Sequence, residues 1–170
     1  MTDITDTTYV WHGGQHPPDG MAVKQVYGYV FDDQARLLLL RDPAGIWNLP
    51  GGTPEPQDGG DHLATLEREV WEEVQARLTD PVYLGYQTVH IPEQAPYAQL
   101  RMAARLTELG ERAPDPDHGH VHVRHRCGVT EAEALLDWGR AAQPQIQTAA
   151  KAARERWGLD INAPVRSLTD

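Results

Sequence analysis

Cysteine is almost absent: Cys127 is the only one in 170 residues, so no intrachain disulfide can form. The setting expected of such a chain is the cytoplasm. No apolar run approaches the roughly 20 residues that a membrane-spanning helix needs, so no membrane partner is expected. The opening MTDITDTTYVWHGG has neither a basic stretch nor an apolar one, and it does not read as a secretory signal. Basic charge is short as well, with 15 Lys and Arg against 25 Asp and Glu and a net charge of −10. That balance argues against a domain that grips a nucleic-acid polymer by its phosphates. It leaves room for a small phosphorylated substrate, because divalent cations bridge acidic side chains to phosphate. A solvated acidic surface gives the same balance, so charge alone selects no function.

The length suits one domain, and nothing in the chain suggests a repeat or a second domain. Residues 1–20 hold Gly13, Gly14, Pro17, Pro18 and Gly20 and read as a mobile N-terminal arm or a loosely attached edge. The main domain is expected over 21–158, with an irregular C-terminal tail over 159–170. Within the domain, Lys24–Asp32 and Leu37–Leu40 read as strands joined by a hairpin. A Gly/Pro-rich loop spans Pro43–Gly60. Asp61 then caps a helix that is expected to run to about Leu78. Strands are expected at Val82–Ile91, Tyr97–Leu106 and His120–Val129. Thr130 and Glu133 form a capping box for a short helix, and a last helix runs from about Pro144 to Trp157, stopped by Gly158. Strands and helices mix without strict alternation, which predicts an α/β fold with a mixed sheet between helices.

The chemistry concentrates in Arg68-Glu69-Val70-Trp71-Glu72-Glu73. At about 100° per residue, Glu69, Glu72 and Glu73 fall within one third of the helix surface. Leu63, Leu66, Val70 and Val74 form another stripe, which fixes the helix to a core. Carboxylates spaced i, i+3 and i+4 repel by a few tenths of a kcal/mol per pair, and water or a divalent cation offsets that. Hard oxygen ligands at this spacing suit Mg²⁺ or Mn²⁺. Taken alone, the same three glutamates also fit a solvated acidic face with Arg68 paired to Glu72.

The loop before the helix separates these readings. Trp47-Asn48-Leu49-Pro50-Gly51-Gly52, then Glu55-Pro56, resembles the loop that opens the Nudix box, and Arg68–Glu73 matches the box's closing Arg-Glu-apolar-any-Glu-Glu. The resemblance implies a Nudix-type α/β/α sandwich with a central mixed sheet, and a metal-dependent hydrolase. Such enzymes cleave the diphosphate of a nucleoside diphosphate linked to a group X. By the same resemblance Glu72 and Glu73 are metal ligands, Glu69 is a ligand or orients a water, and Arg68 holds a glutamate in place. Gly51 resembles the glycine whose carbonyl reaches a metal. The rival reading is a non-catalytic Nudix-like nucleotide-binding or regulatory module, whose mark would be a broken glutamate cluster. The partner expected is a small nucleotide-like diphosphate; the group X and the oligomeric state are not legible.

Two departures stand out. Gly52 to Arg68 is two residues longer than usual, with the extra length in Gln57-Asp58-Gly59-Gly60, and the first box glutamate falls on Gly60 or Asp61. This segment is expected to bulge outward. Gln75 stands where the box has glycine, so the helix is expected to continue through it. Elsewhere, Asp115 and Asp117 precede a strand, and Asp117 is the better candidate for an extra acid near the metals. Tyr97, Gln99 and Arg101 share a strand face. If it meets the cleft, Arg101 binds phosphate and Tyr97 stacks on a base; otherwise they are ordinary sheet-surface residues. His118, His120 and His122 alternate, and exposed neutral histidines account for them. Cys127 is expected to be a small buried residue.

Overall fold

A computed structural model describes residues 6–170. Its elements are β1 (Thr8–Gly13), β2 (Val23–Phe31), β3 (Leu37–Arg41), β4 (Trp47–Asn48), β5 (Gly51–Gly52), α1 (His62–Val74), β6 (Ala76–His90), β7 (Tyr97–Leu109), β8 (Val123–Cys127), α2 (Val129–Leu136), α3 (Gln143–Trp157) and β9 (Leu168–Thr169). They build one sheet in the order β1-β6-β7-β2-β3-β8-β9, with β4 on β3 and β5 on β2. The β2–β7 pair is parallel and the others are antiparallel, so the sheet is mixed.

The alternation of β2 and β3 explains the layers. Val26, Val30, Leu38 and Leu40 point to one face, where Leu66, Val70 and Val74 of α1 cover them. Tyr29, Phe31, Leu37 and Leu39 point to the other, under Ala132 and Leu136 of α2 and Ile146, Ala149 and Ala153 of α3. Strands buried on both faces read as continuous apolar runs, as LLLL in β3 does. The result is an α/β/α sandwich. No helix among the described residues is long and apolar enough to cross a membrane.

Three expectations about the chain ends and the helix are narrowed or changed. Within the stretch read as a mobile arm or a loosely attached edge, Thr8–Gly13 pairs with Gly85–His90 as an edge strand, in line with the second of those readings; residues 1–5 lie outside the described residues. In the tail, Leu168 and Thr169 pair with Arg126 and His125. Both strands are short and flanked by turn residues, so periodicity alone does not find them. The helix also stops early. Gln75 takes the left-handed conformation (φ 49°, ψ 43°), and β6 begins at the next residue.

Gln75 earns this strained position with its side chain. Its Nε2 donates to the carbonyls of Glu72 (3.0 Å) and Trp71 (3.3 Å), and its Oε1 accepts from the Ala113 N–H (3.0 Å). It therefore ends α1 in the glycine's backbone conformation, while its side chain adds a donor to the Glu72 carbonyl and a second donor to the Trp71 carbonyl, which its own N–H already reaches (2.9 Å). Relief of the left-handed strain is worth about 1–2 kcal/mol. Three hydrogen bonds at about 1 kcal/mol each exceed it. Gln75→Gly is therefore expected to lower stability by about 1 kcal/mol, read by urea unfolding; a gain in stability would refute the capping account.

Candidate active site

Asp61 starts α1 by accepting from the Leu63 and Ala64 N–H groups (2.9 and 3.4 Å), so its role is a helix cap. One helical face then carries Glu69, Glu72 and Glu73 toward the loop around β5. Glu69 is buried rather than solvent-facing. Its Oε1 accepts from the Thr53 N–H (3.1 Å) and from Arg68 Nη1 (3.0 Å). Gly52 makes room for it, since a Cβ there would lie 2.4 Å from the Glu69 carboxylate. Glu73 Oε2 accepts from the Gly51 N–H (2.9 Å). Gly51 has φ +147°, and a Cβ on it would come within 2.1 Å of the Val26 carbonyl, so only glycine serves.

The segment expected to bulge outward is instead split in two. Pro56–Asp58 forms a single 3₁₀ turn, and Asp58 points inward and is buried. Its carboxylate grips Arg68 with two bonds, Nε to Oδ1 (2.9 Å) and Nη2 to Oδ2 (3.0 Å), and accepts from Thr65 Oγ1 and the Glu55 N–H. Gly59 and Gly60, both with positive φ, face open space, and Gln57 is exposed as well. Counting back from Arg68 puts the first box acid at Gly60. Counting forward from Gly52, with the two extra residues placed after that acid, puts it at Asp58. The structure favours the second count, and neither Gly60 nor Asp61 takes the place. Arg68 also reaches Glu72 Oε2 (3.1 Å) and the Thr53 carbonyl (2.8 Å), so one mostly buried guanidinium ties the loop to both glutamates.

A second loop adds acids. Asp115 is buried, and its Oδ1 accepts from the Asp117 N–H (2.9 Å), a turn that brings Asp117 to the helix. Carboxylate oxygens of Glu69, Glu72 and Asp117 lie within 4.8 Å of one another. The same holds for ligand atoms of Glu73, Asp115 and His122. The strand expected from His120 begins only at Val123, so the three histidines lie in a loop. His122 is buried, and its Nε2 stands 3.3 Å from Asp115 Oδ2. Its Nδ1 is buried without a partner. His118 Nδ1 lies 3.4 Å from the same oxygen.

Burial pushes the Glu69 and Glu72 carboxyls up, against the pull of Arg68, and crowding by neighbouring acids adds to it. Glu73 is pushed well above the usual range, again first by burial, with the Gly51 N–H opposing. Asp58 is held far below it by Arg68. A cluster of acids that resists ionisation in the bare protein is one that a cation would stabilise. The donor set fits a hard divalent cation: carboxylate oxygens from two elements, with a glycine leaving space beside them. The imidazole of His122 beside Glu73 suits Mn²⁺ as well.

Beside the acids lies a cleft of about 320 Å³, lined by Tyr9, Tyr27, Asn48, Gln99, Arg101 and Trp138 among others. Arg101 faces it and is 3% exposed. Tyr97 does not line it. That ring sits at the start of β7, under Lys24 Nζ at 4.5 Å, four residues and roughly 13 Å along the strand from Arg101. Tyr97 is thus a sheet-surface residue. Cys127 is buried, and burial pushes its thiol up to about 12, so it offers no nucleophile. Asp58, Tyr27 and Trp138 had no motif to mark them, and Asn48 stood inside the quoted loop motif without being singled out; only the count from Gly52 could have found Asp58.

The NUDIX domain family matches residues 21–149. Three solved structures share the fold. A pyrophosphohydrolase from Bacillus subtilis is 20% identical over 72% of each chain, with a TM-score of 0.54. A Nudix hydrolase from Nitrosomonas europaea is 20% identical over 76% of this chain and 86% of that one, at 0.55. A protein from Listeria monocytogenes assigned to the Nudix hydrolases is 15% identical over 78% and 95%, at 0.60. Likeness at these identities speaks for the fold, and the family match covers most of the chain. The chain belongs to the NUDIX domain family and, with Glu69, Glu72 and Glu73 all in place, is a Nudix hydrolase, an enzyme of phosphoanhydride bonds.

Proposed function

We propose that the protein hydrolyses the diphosphate linkage of nucleoside diphosphate-X substrates in the cytoplasm, using Mg²⁺ with Mn²⁺ as a substitute. The observation that carries this reading is the convergence of Glu69, Glu72 and Asp117 within 4.8 Å of one another, next to a cleft with aromatic walls. Bound divalent ions neutralise the charge that gathers on the diphosphate oxygens and acidify a water. The protein's part is to hold the acids in register. Arg68 joins Glu69 to Glu72, and the Gly51 N–H fixes Glu73. Asn48 lines both the cleft and the hollow that contains Glu73 and Asp115, so one extended molecule can span the two.

The test is a hydrolysis screen over nucleoside triphosphates, dinucleoside polyphosphates, ADP-ribose-like compounds and nucleotide sugars, with Mg²⁺ or with EDTA, and with products identified. At least one class should be cleaved to a nucleotide monophosphate only when metal is present. Nucleotide binding without cleavage of any class would favour a non-catalytic binding module.

A further inference from the structure

The cleft beside the carboxylates contains a cation without a counter-charge. Arg101 is 3% exposed, yet among the described residues no carboxylate lies within ion-pair distance of it. Burying an uncompensated charge is costly, and a folded chain keeps one where something else completes it. Its Nε donates to Gln145 Oε1 (2.7 Å), one terminal nitrogen to the Leu100 carbonyl (3.2 Å) and the other to Gln99 Oε1 (3.3 Å). A guanidinium has five N–H donors, so one on each terminal nitrogen is left over.

The fork is also held still. Gln145 is fully buried, accepts from the Tyr29 hydroxyl (2.7 Å) as well as from Arg101, and donates to Gln87 Oε1 (3.3 Å). Tyr27 and Trp138 lie with ring centroids 4.8 and 5.7 Å from the guanidinium carbon. The cleft lining contains aromatic rings, amides and this one arginine, and no acid.

Building on the nucleotide-hydrolase reading above, we propose that this cleft is a base-reading site for a 6-oxopurine, guanine or hypoxanthine, with the two spare N–H groups of Arg101 directed at its O6 and N7. Guanine sets those two acceptors side by side, the pair that an arginine fork reads. Adenine presents a donor amino group beside N7, and one N–H would face another. The cytosine amino group needs an acidic acceptor, which the lining lacks. A bare phosphate or carboxylate would satisfy the fork but leave Tyr27 and Trp138 without a face to stack on. Tyr27 adjoins Gly51, whose N–H holds Glu73, so a base in the cleft puts its own phosphates toward the acids.

The test is equilibrium binding of nucleoside monophosphates to the intact protein in EDTA, by calorimetry or tryptophan fluorescence, where no hydrolysis intervenes. GMP and IMP should bind at least tenfold tighter than AMP, CMP or UMP, and 7-deaza-GMP should fall to the AMP level. Arg101→Lys replaces the fork by a point charge and should bring GMP and AMP within threefold; if that variant does not fold, the nucleotide series on the unaltered protein decides alone. AMP binding as tightly as GMP, IMP binding weakly, 7-deaza-GMP matching GMP, or no GMP binding at millimolar concentration would each overturn the assignment. Hydrolysis without base preference would sink this proposal and spare the hydrolase reading, whereas tight GMP binding without hydrolysis would do the reverse.

Discussion

Glu73→Gln and Glu72→Gln are each expected to lower kcat by at least about a hundredfold, because each removes one charge from the group proposed to hold the metal. The fold should survive. In Glu73→Gln the new amide oxygen can still accept from the Gly51 N–H, and in Glu72→Gln it can still accept from Arg68 Nη1. Thermal stability separates a metal role from a structural one. Burial, with neighbouring acids adding to it, pushes the Glu73 carboxyl well above its usual range, so a charge at this position is costly in the folded protein. A neutral glutamine suits that environment, and in EDTA the variant should melt at or above the Tm of the wild type. Added Mg²⁺ raises the Tm of a protein that binds it in the folded state. The wild type should gain from Mg²⁺ and the variants should not. Variants that keep kcat within fivefold of the wild type, or that melt lower in EDTA while responding fully to Mg²⁺, would defeat the metal-site assignment.

Much of this was legible in the chain because it is periodic. Leu66, Val70 and Val74 recur at helical spacing, and Glu69, Glu72 and Glu73 ride on the same period beside them, so the core stripe and the acidic stripe come out together. β2 was legible as a strand from its weak alternation and β3 from a short continuous apolar run, the mark of burial on both faces. What escaped depends on backbone conformation or distant contact. Gln75 turns left-handed because its side chain finds the Trp71, Glu72 and Ala113 backbone, a combination that no local propensity signals. β1 lies among glycines and prolines and becomes a strand only because β6 offers it an edge. Arg101 and Trp138 are far apart in sequence and meet through the packing of the segment before α3 onto the sheet. Tyr97 and Arg101 alternate correctly, yet the cleft spans only part of the strand, and alternation carries no information about where a cleft ends.

The second large effect is expected at Asp58, the residue that turns the lengthened loop inward. Asp58→Ala should cost about 2 kcal/mol of stability, the scale of a hydrogen-bonded charge losing its partner, and lower hydrolysis more than tenfold. Without this carboxylate, Arg68 keeps Glu69, Glu72, the Thr53 carbonyl and a longer contact to Glu55 (3.7 Å), and nothing fixes its Nε. Thr65 Oγ1 and the Glu55 N–H lose an acceptor at the same time. A guanidinium free to swing no longer sets the separation of Glu69 and Glu72, and metal sites lose activity when such supporting contacts go. Acidity gives an independent readout. Arg68 holds the Asp58 carboxyl below its unfolded value of about 3.9, so its contribution is complete above that pH and disappears as pH falls toward the lower folded value. The stability gap between wild type and Asp58→Ala, measured by urea unfolding, should be widest at neutral pH and narrow steadily below about pH 4. Gln57→Ala, one residue away and exposed, should change neither stability nor rate. An Asp58→Ala protein with wild-type hydrolysis and an unchanged gap at acid pH would mean that the loop merely bulges and that Arg68 is positioned from the helix alone.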